Sequence, residues 1–332
     1  MPEKPIRLRD VVKFRECYFS VVSYFNDPVK CLLRYVPENL YRKVLKRKPE
    51  AEKVRGSYVK LDHDEALNFF MEHVKDGIFL LPPGDVEVFK PEILTPKLVE
   101  RDNVLRKVYD LFSVPEGFKG VTGSRLIGLS SESSDVDFVV YGEWFEKARK
   151  ELKEGLIRGK VEELEEDEWR KIYRKRRPAI DFDTFVTHEK RKYNRGFVGE
   201  TYFDLLYVRD YSNLTIFSEF RGVKVGKILV EGLVENDSAV FDYPARYPME
   251  EVKVLEFEPF ELGTSDTSLE KVRITEVLSF THTYVGQAFR GERIRAYGVL
   301  EVLEVDGKFV GKVIVGTRRV SDEYIVSMSL IE

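Results

Sequence analysis

The stretch GVTGSRLIGLSSESSDVDFVVYG, residues 120–142, decides how this 332-residue chain reads. It opens on a short apolar run, breaks at Gly123-Ser124, passes through a polar spacer, and re-enters an apolar run that contains Asp135-Val136-Asp137-Phe138. In a strand, side chains alternate between faces, so both carboxylates fall on one face and Val136 and Phe138 on the other. A charge in a strand interior needs a partner. Two aligned acids suit a divalent cation, because hard ions such as magnesium take carboxylate oxygens and also bind substrate phosphates. Gly123 permits close backbone approach, and Ser124 adds a hydroxyl and an exposed amide, a combination that suits a phosphate.

Working outward, Val104, Leu105, Val108, Leu111 and Phe112 predict a helix that starts at Asp102 and leads into this stretch. A further helix is expected from Glu143 to about Gly155. The acidic run Glu162–Glu168 followed by the basic run Arg170–Arg177 predicts an exposed helix ending at Pro178. AIDFDTFV, residues 179–186, reads as a strand with Asp181 and Asp183 on one face. Upstream, CYFSVVSYF (17–25) and KCLLRYV (30–36) flank Asn26-Asp27-Pro28 as a hairpin, and SYVKL is a third strand. Asp62 or Asp64 then caps a helix carrying Ala66, Leu67, Phe69, Phe70, Met71 and Val74. Pro82-Pro83-Gly84, Pro91 and Pro96 mark a linker. Beyond residue 225 the runs are β-rich, with Asp306-Gly307 as a hairpin turn. The predicted class is α+β: an N-terminal α+β module (1–98), a core (99–225) with a mixed sheet and flanking helices, and a β-rich C-terminal domain (226–332), for which an OB-type barrel is the specific expectation.

Composition excludes several classes. With 54 basic and 58 acidic residues the net charge is only -4, so any nucleic-acid surface must be local. No apolar run approaches the roughly 20 residues that span a bilayer, and MPEKPIRLRD has no apolar leader. Cys17 and Cys31 lack metal-ligand spacing and read as buried thiols of a cytoplasmic protein, with a disulfide between facing strands as the alternative. A 34% charged content with Gln287 as the sole glutamine is a bias of thermophilic proteins.

The Gly-Ser pair, the spacer Arg125–Ser134 and the Asp135-Val136-Asp137-Phe138 run together resemble the signature of the DNA polymerase beta-like nucleotidyltransferase superfamily. Thr122 stands where the signature has an apolar residue. The module order also looks like an archaeal family of predicted nucleotidyltransferases. The resemblance implies that Asp135, Asp137 and a third acid hold Mg2+ (or Mn2+) and carry catalysis. It assigns that third acid to Asp181, with Asp183 as the alternative. It further implies that Gly123, Ser124, Arg125 and Ser134 bind the nucleotide, and that a nucleoside monophosphate passes from a nucleotide triphosphate (NTP) to a hydroxyl, a nucleic-acid end being the leading acceptor. The competing class is a catalytically silent nucleic-acid-binding or regulatory protein on the same fold.

Two basic patches (Arg170–Arg177, with Trp169 and Tyr173; Lys190–Lys192, with Tyr193 and Arg195) are candidate backbone contacts, the first also being able to pair with the acidic run before it. In the tail, Phe280, His282, Tyr284, Phe289 and Tyr297 with Arg290, Arg293 and Arg295 form a candidate oligonucleotide surface, against the alternative that the aromatics are core.

Overall fold

A computed structural model describes residues 4–131, 134–214, 222–260, 269–316 and 322–331. Three sheets follow one another along the chain, and the chain packs as two compact units. One comprises residues 1–163 and 194–217, the other residues 164–193 and 218–332.

In the first unit a four-stranded sheet carries the opening stretch. Its order is Arg195–Val198, Thr201–Val208, Val136–Tyr141, Lys119–Val121. Val136–Tyr141 runs parallel to Thr201–Val208 and antiparallel to Lys119–Val121. Val136, Phe138, Val139 and Val140 are fully buried, as a strand covered on both faces requires. Phe138 stacks on Phe112 at 5.4 Å, and the helix Trp144–Ile157 buries Phe145, Ala148 and Leu152. Each such aromatic or aliphatic side chain contributes roughly 1.5–3 kcal/mol of burial. Asp102 caps the helix Asn103–Tyr109, its carboxylate accepting from Leu105 N at 2.9 Å.

The same unit holds an eight-stranded sheet from the first ninety residues, in which Cys17–Val21 pairs antiparallel with Val29–Pro37. Cys17 and Cys31 are free thiols inside its core, and burial pushes the Cys17 thiol up to about 12 and Cys31 up as well. The helix after Asp62 is shorter than its apolar spacing predicts. A capping box from Asp62 and Glu65 starts it, but it spans only His63–Ala66, and Phe70 lies in the left-handed region at φ 46°. Pro91 and Pro96, expected in a linker, instead lie in a helix, Pro91–Val99. This helix lies so near the central sheet that a Cβ on Gly120 would sit 2.6 Å from the Pro91 carbonyl carbon. Buried polar ties strengthen the join: Lys90 to Asp10 at 2.9 Å, and Arg7 to Glu92 at 3.1 Å between the rings of Tyr141 and Tyr211.

The second unit contains a closed five-stranded barrel. Val223–Val234 pairs with Ala245–Pro259, then come Val272–Ser279, Lys308–Val315 and Arg293–Val305, which returns to Val223–Val234. Only the pair of Val272–Ser279 with Lys308–Val315 is parallel, and Tyr324–Ser327 adds to the flank of Arg293–Val305. Residues 179–186 correct a prediction: they are not a strand. Asp181 accepts from Thr184 N at 2.9 Å and caps the helix Phe182–Lys190, which buries Phe185, His188 and Glu189. The acid-apolar alternation that suggested a strand also fits a helix once Asp181 acts as a cap.

Candidate functional site

The Gly-Ser turn and the acidic strand meet inside the first unit. Lys119–Val121 pairs with Phe138–Val140, and Thr122 N donates to Asp137 O at 2.9 Å, which brings the turn alongside Asp137. Gly123 has φ +70°, and a Cβ there would lie 3.0 Å from Asp137 Oδ2. Glycine is required on both counts: it adopts the left-handed conformation without strain and leaves room for the carboxylate. Ser124 follows, partly exposed, its carbonyl accepting from Leu129 N at 2.9 Å.

Asp135 is exposed just before the strand and Asp137 is partly buried within it. The parallel register sets Asp137 directly beside Asp204. Burial, then Asp204 and Asp135, raise the Asp137 carboxyl above the usual carboxylate range, while Arg9 and Arg34 draw it down. Two neighbouring carboxylates thus act on Asp137 at this end of the sheet, an arrangement that a bound cation would relieve. Asp204 accepts from the Tyr202 hydroxyl at 3.0 Å, and Arg195 lies 3.6 Å away. Among the described residues no three carboxylate, imidazole or thiol groups are drawn into one metal-holding cluster.

The other predicted site residues fall differently. Asp181 and Asp183 stand at the start of a helix in the other unit, and Asp181's carboxyl is lowered mainly by its hydrogen bonds from Thr184. Asp183 lines a 430 Å³ groove with Trp169, Phe182 and Lys190. Arg125, which the resemblance implied binds the nucleotide, has a side chain only 3% exposed. Its guanidinium donates to Asp102 Oδ2 at 2.7 Å, Ser134 O at 2.5 Å and Asp135 O at 3.3 Å. Arg125 therefore clamps the loop, holding its two ends together. Ser134 serves the same loop, its hydroxyl accepting from Ser131 N at 2.9 Å. Glu132 and Ser133 of the spacer lie outside the described residues.

Asp204 was missed in the sequence. Its signal was the one that singled out Asp137, an acid inside an apolar strand run, here TYFDLLYV. The basic patches are largely committed to internal ion pairs: Arg170 to Glu166 at 2.5 Å, Arg176 to Glu189 at 3.0 Å, and Arg191 to Glu292 at 2.6 Å. Lys192 is buried on Glu189 and Thr283 O. In the barrel, Tyr284 is core, whereas Tyr243 stacks on His282 beside Phe280, which is 37% exposed.

An acid inside the central strand, a second acid in register on its parallel neighbour, and a Gly-Ser turn meet at one end of this sheet. A family model for the nucleotidyltransferase domain matches residues 102–194. The chain is 34% identical to the uncharacterized protein MJ1086 of Methanocaldococcus jannaschii, over 96% of this chain and 98% of that protein. It belongs to the same full-length family and carries a polymerase beta-like nucleotidyltransferase domain. No solved structure matches it. No helix among the described residues is long and apolar enough to cross a membrane.

Proposed function

We propose that this protein transfers a nucleoside monophosphate from an NTP to a hydroxyl acceptor, and that the acceptor is the end of an RNA chain. The acceptor oxygen bonds to the α-phosphorus as the bond to the β-phosphate oxygen breaks. Pyrophosphate leaves with that electron pair, and the hydroxyl proton passes to water. The observation that carries the reading is the placement of Asp137 beside Asp204, with the Gly123 backbone packed on the Asp137 carboxylate.

Asp135, Asp137 and Asp204 would hold two Mg2+ or Mn2+ ions. An all-carboxylate donor set fits hard cations, and the burial and neighbouring carboxylates that raise Asp137 give the site reason to take up positive charge. When bound, such ions neutralise the phosphates and the attacking and leaving oxygens. Gly123 shapes the turn so that Ser124 offers its hydroxyl and neighbouring amides to the phosphates, while Arg125 keeps the loop closed around them. An RNA acceptor is supported by the barrel. Its closed five-strand ring fits an OB-type barrel, a fold that binds oligonucleotides, and Tyr243, His282 and Phe280 gather aromatic surface at one place on it.

The test is incubation of the full chain with each labelled NTP, magnesium and a panel of RNA, DNA and small-molecule hydroxyl acceptors, with products identified by mass. Transfer should require magnesium and fall about a hundred-fold or more in Asp137→Asn and in Asp204→Asn. Metal-dependent NTP binding without product in any acceptor series would replace this reading with the silent binding module.

A further inference from the structure

The eight-stranded sheet has two dissimilar faces. Val12, Phe19, Val36, Val59 and Val88 pack in its hydrophobic core. Strand alternation therefore turns their neighbours Lys13, Tyr18, Tyr58, Lys60 and Phe89 to the opposite face. Tyr18, Tyr58 and Phe89 stay out of the core cluster, and each is partly exposed. They nonetheless form a row. The Tyr18 ring stands 5.3 Å from that of Tyr58 and 5.8 Å from that of Phe89. The row runs across the strands, because Val29–Pro37 lies between the strands of Tyr58 and Tyr18, and Val11–Phe14 between those of Tyr18 and Phe89.

The same face is basic. Lys13 lies over the Tyr18 ring at 5.9 Å, and Lys60 is exposed. Leu33 enters the core, so Arg34 after it does not, and it too is partly exposed. Among the described residues of these strands Glu87 is the only acid, set opposite Lys13 in register. Lys13 also meets Glu16 in the adjoining turn at 3.0 Å, an exposed contact of little strength. In a chain of net charge -4 this is a local excess of positive charge. One end of the row lies next to the glycine turn. Phe89 pairs with Val11, two residues after Arg9, whose carbonyl accepts from the Thr122 hydroxyl at 2.6 Å. Phe89 also stands two residues before Pro91, which packs on Gly120. Both ties fix the Phe89 end beside the segment that leads into Gly123.

We propose that this face binds the single-stranded end of the acceptor RNA, with successive bases stacked on Tyr58, Tyr18 and Phe89 and the phosphate backbone facing Lys13, Arg34 and Lys60. Aromatic rings set among cations hold single strands because every base offers a π-face. A donor nucleotide has one base and would occupy one ring, whereas a row of rings suits a polymer. This rests on the reading of the centre as a nucleotidyltransferase that extends RNA. It adds where the acceptor chain lies, and that its terminal hydroxyl arrives from the Phe89 end.

The test is fluorescence anisotropy on the full-length protein with a labelled oligoadenylate of about ten nucleotides and an abasic strand of the same length. Leucine keeps apolar volume and removes the π-face. Tyr18→Leu, Tyr58→Leu and Phe89→Leu should each weaken oligoadenylate binding about five- to a hundred-fold and leave the abasic strand nearly unchanged, while Tyr18→Phe binds like the wild type. Unfolding temperatures should stay within a few degrees, because the rings are partly exposed and outside the core. If Tyr18→Leu unfolds the protein, Phe89→Leu decides the question by the same criterion. Wild-type affinity in the leucine variants overturns the inference, as does an equal loss for the abasic strand or a wild type that binds neither probe. The transfer assay separates the two levels. Product formation with an unchanged KM for the acceptor strand in the leucine variants removes the platform and keeps the enzyme. Ring-dependent binding with no product in any acceptor series keeps the platform and removes the transferase.

Discussion

Replacing Arg125 with methionine distinguishes a loop clamp from a phosphate ligand. The methionine keeps most of the apolar stem and deletes the guanidinium. What is lost is an ion pair to Asp102 and hydrogen bonds to the carbonyls of Ser134 and Asp135. Removing one partner of a buried ion pair costs about 3–5 kcal/mol. Asp102 keeps some solvent contact and its helix-capping role, so the low end applies, about 3 kcal/mol. For a folding unit of this size that lowers Tm by about 6–12 °C. Circular dichroism melts of Arg125→Met, Asp102→Ala and the double variant give the coupling directly, with about 1–3 kcal/mol expected between two residues in contact. A melting temperature within 2 °C of wild type, together with a large drop in tripolyphosphate affinity, would show that the guanidinium faces the ligand and that the clamp is wrong.

Gly123→Ala should cut transfer at least ten-fold and cost about 1–2 kcal/mol in stability, since φ +70° is unfavourable for alanine and the new methyl displaces the Asp137 carboxylate; wild-type turnover would contradict the packing. Asp181→Ala should remove only a helix cap, at about 1 kcal/mol, and leave transfer unchanged, in contrast to Asp204→Ala, which should abolish it. The opposite result would return the third acid to Asp181. His188 is buried, its Nδ1–H donating to Thr184 O at 2.7 Å and its Nε2 accepting from Ser327 N at 3.0 Å, and burial lowers its pKa to about 4. The unfolded chain takes up a proton near pH 6.5 that the fold refuses until about 4. This residue therefore costs nothing at pH 7 and removes about 3 kcal/mol of stability as pH falls through that window. Imidazole NMR titration with a midpoint near 6.5 in the folded protein would contradict it.

Much of the centre could be read from local pattern. Gly123, Ser124 and the two acids of 135–138 are encoded within one stretch, as is the cap at Asp102, because turns, caps and strand alternation depend on near neighbours. Asp204 required knowing which strand pairs with Val136–Tyr141, and parallel pairing joins distant segments that no local period reveals. Asp181 misled because its surroundings satisfy a strand alternation and a helix start equally. The bonds of Arg125 to Asp102, Ser134 O and Asp135 O could not be read locally, since they depend on how the loop closes on itself.

The chain leaves its first compact unit after residue 163 and re-enters it at residue 194. The strand bearing Asp204 is therefore laid down only after thirty residues that belong elsewhere. Neither unit can be obtained by a single cut. A fragment limited to 102–194 would carry the Gly-Ser turn without the strand that supplies its acidic neighbour. Translation must deliver Thr201–Val208 before the central sheet can close, so premature termination anywhere upstream yields a polypeptide with an open, unpaired strand edge.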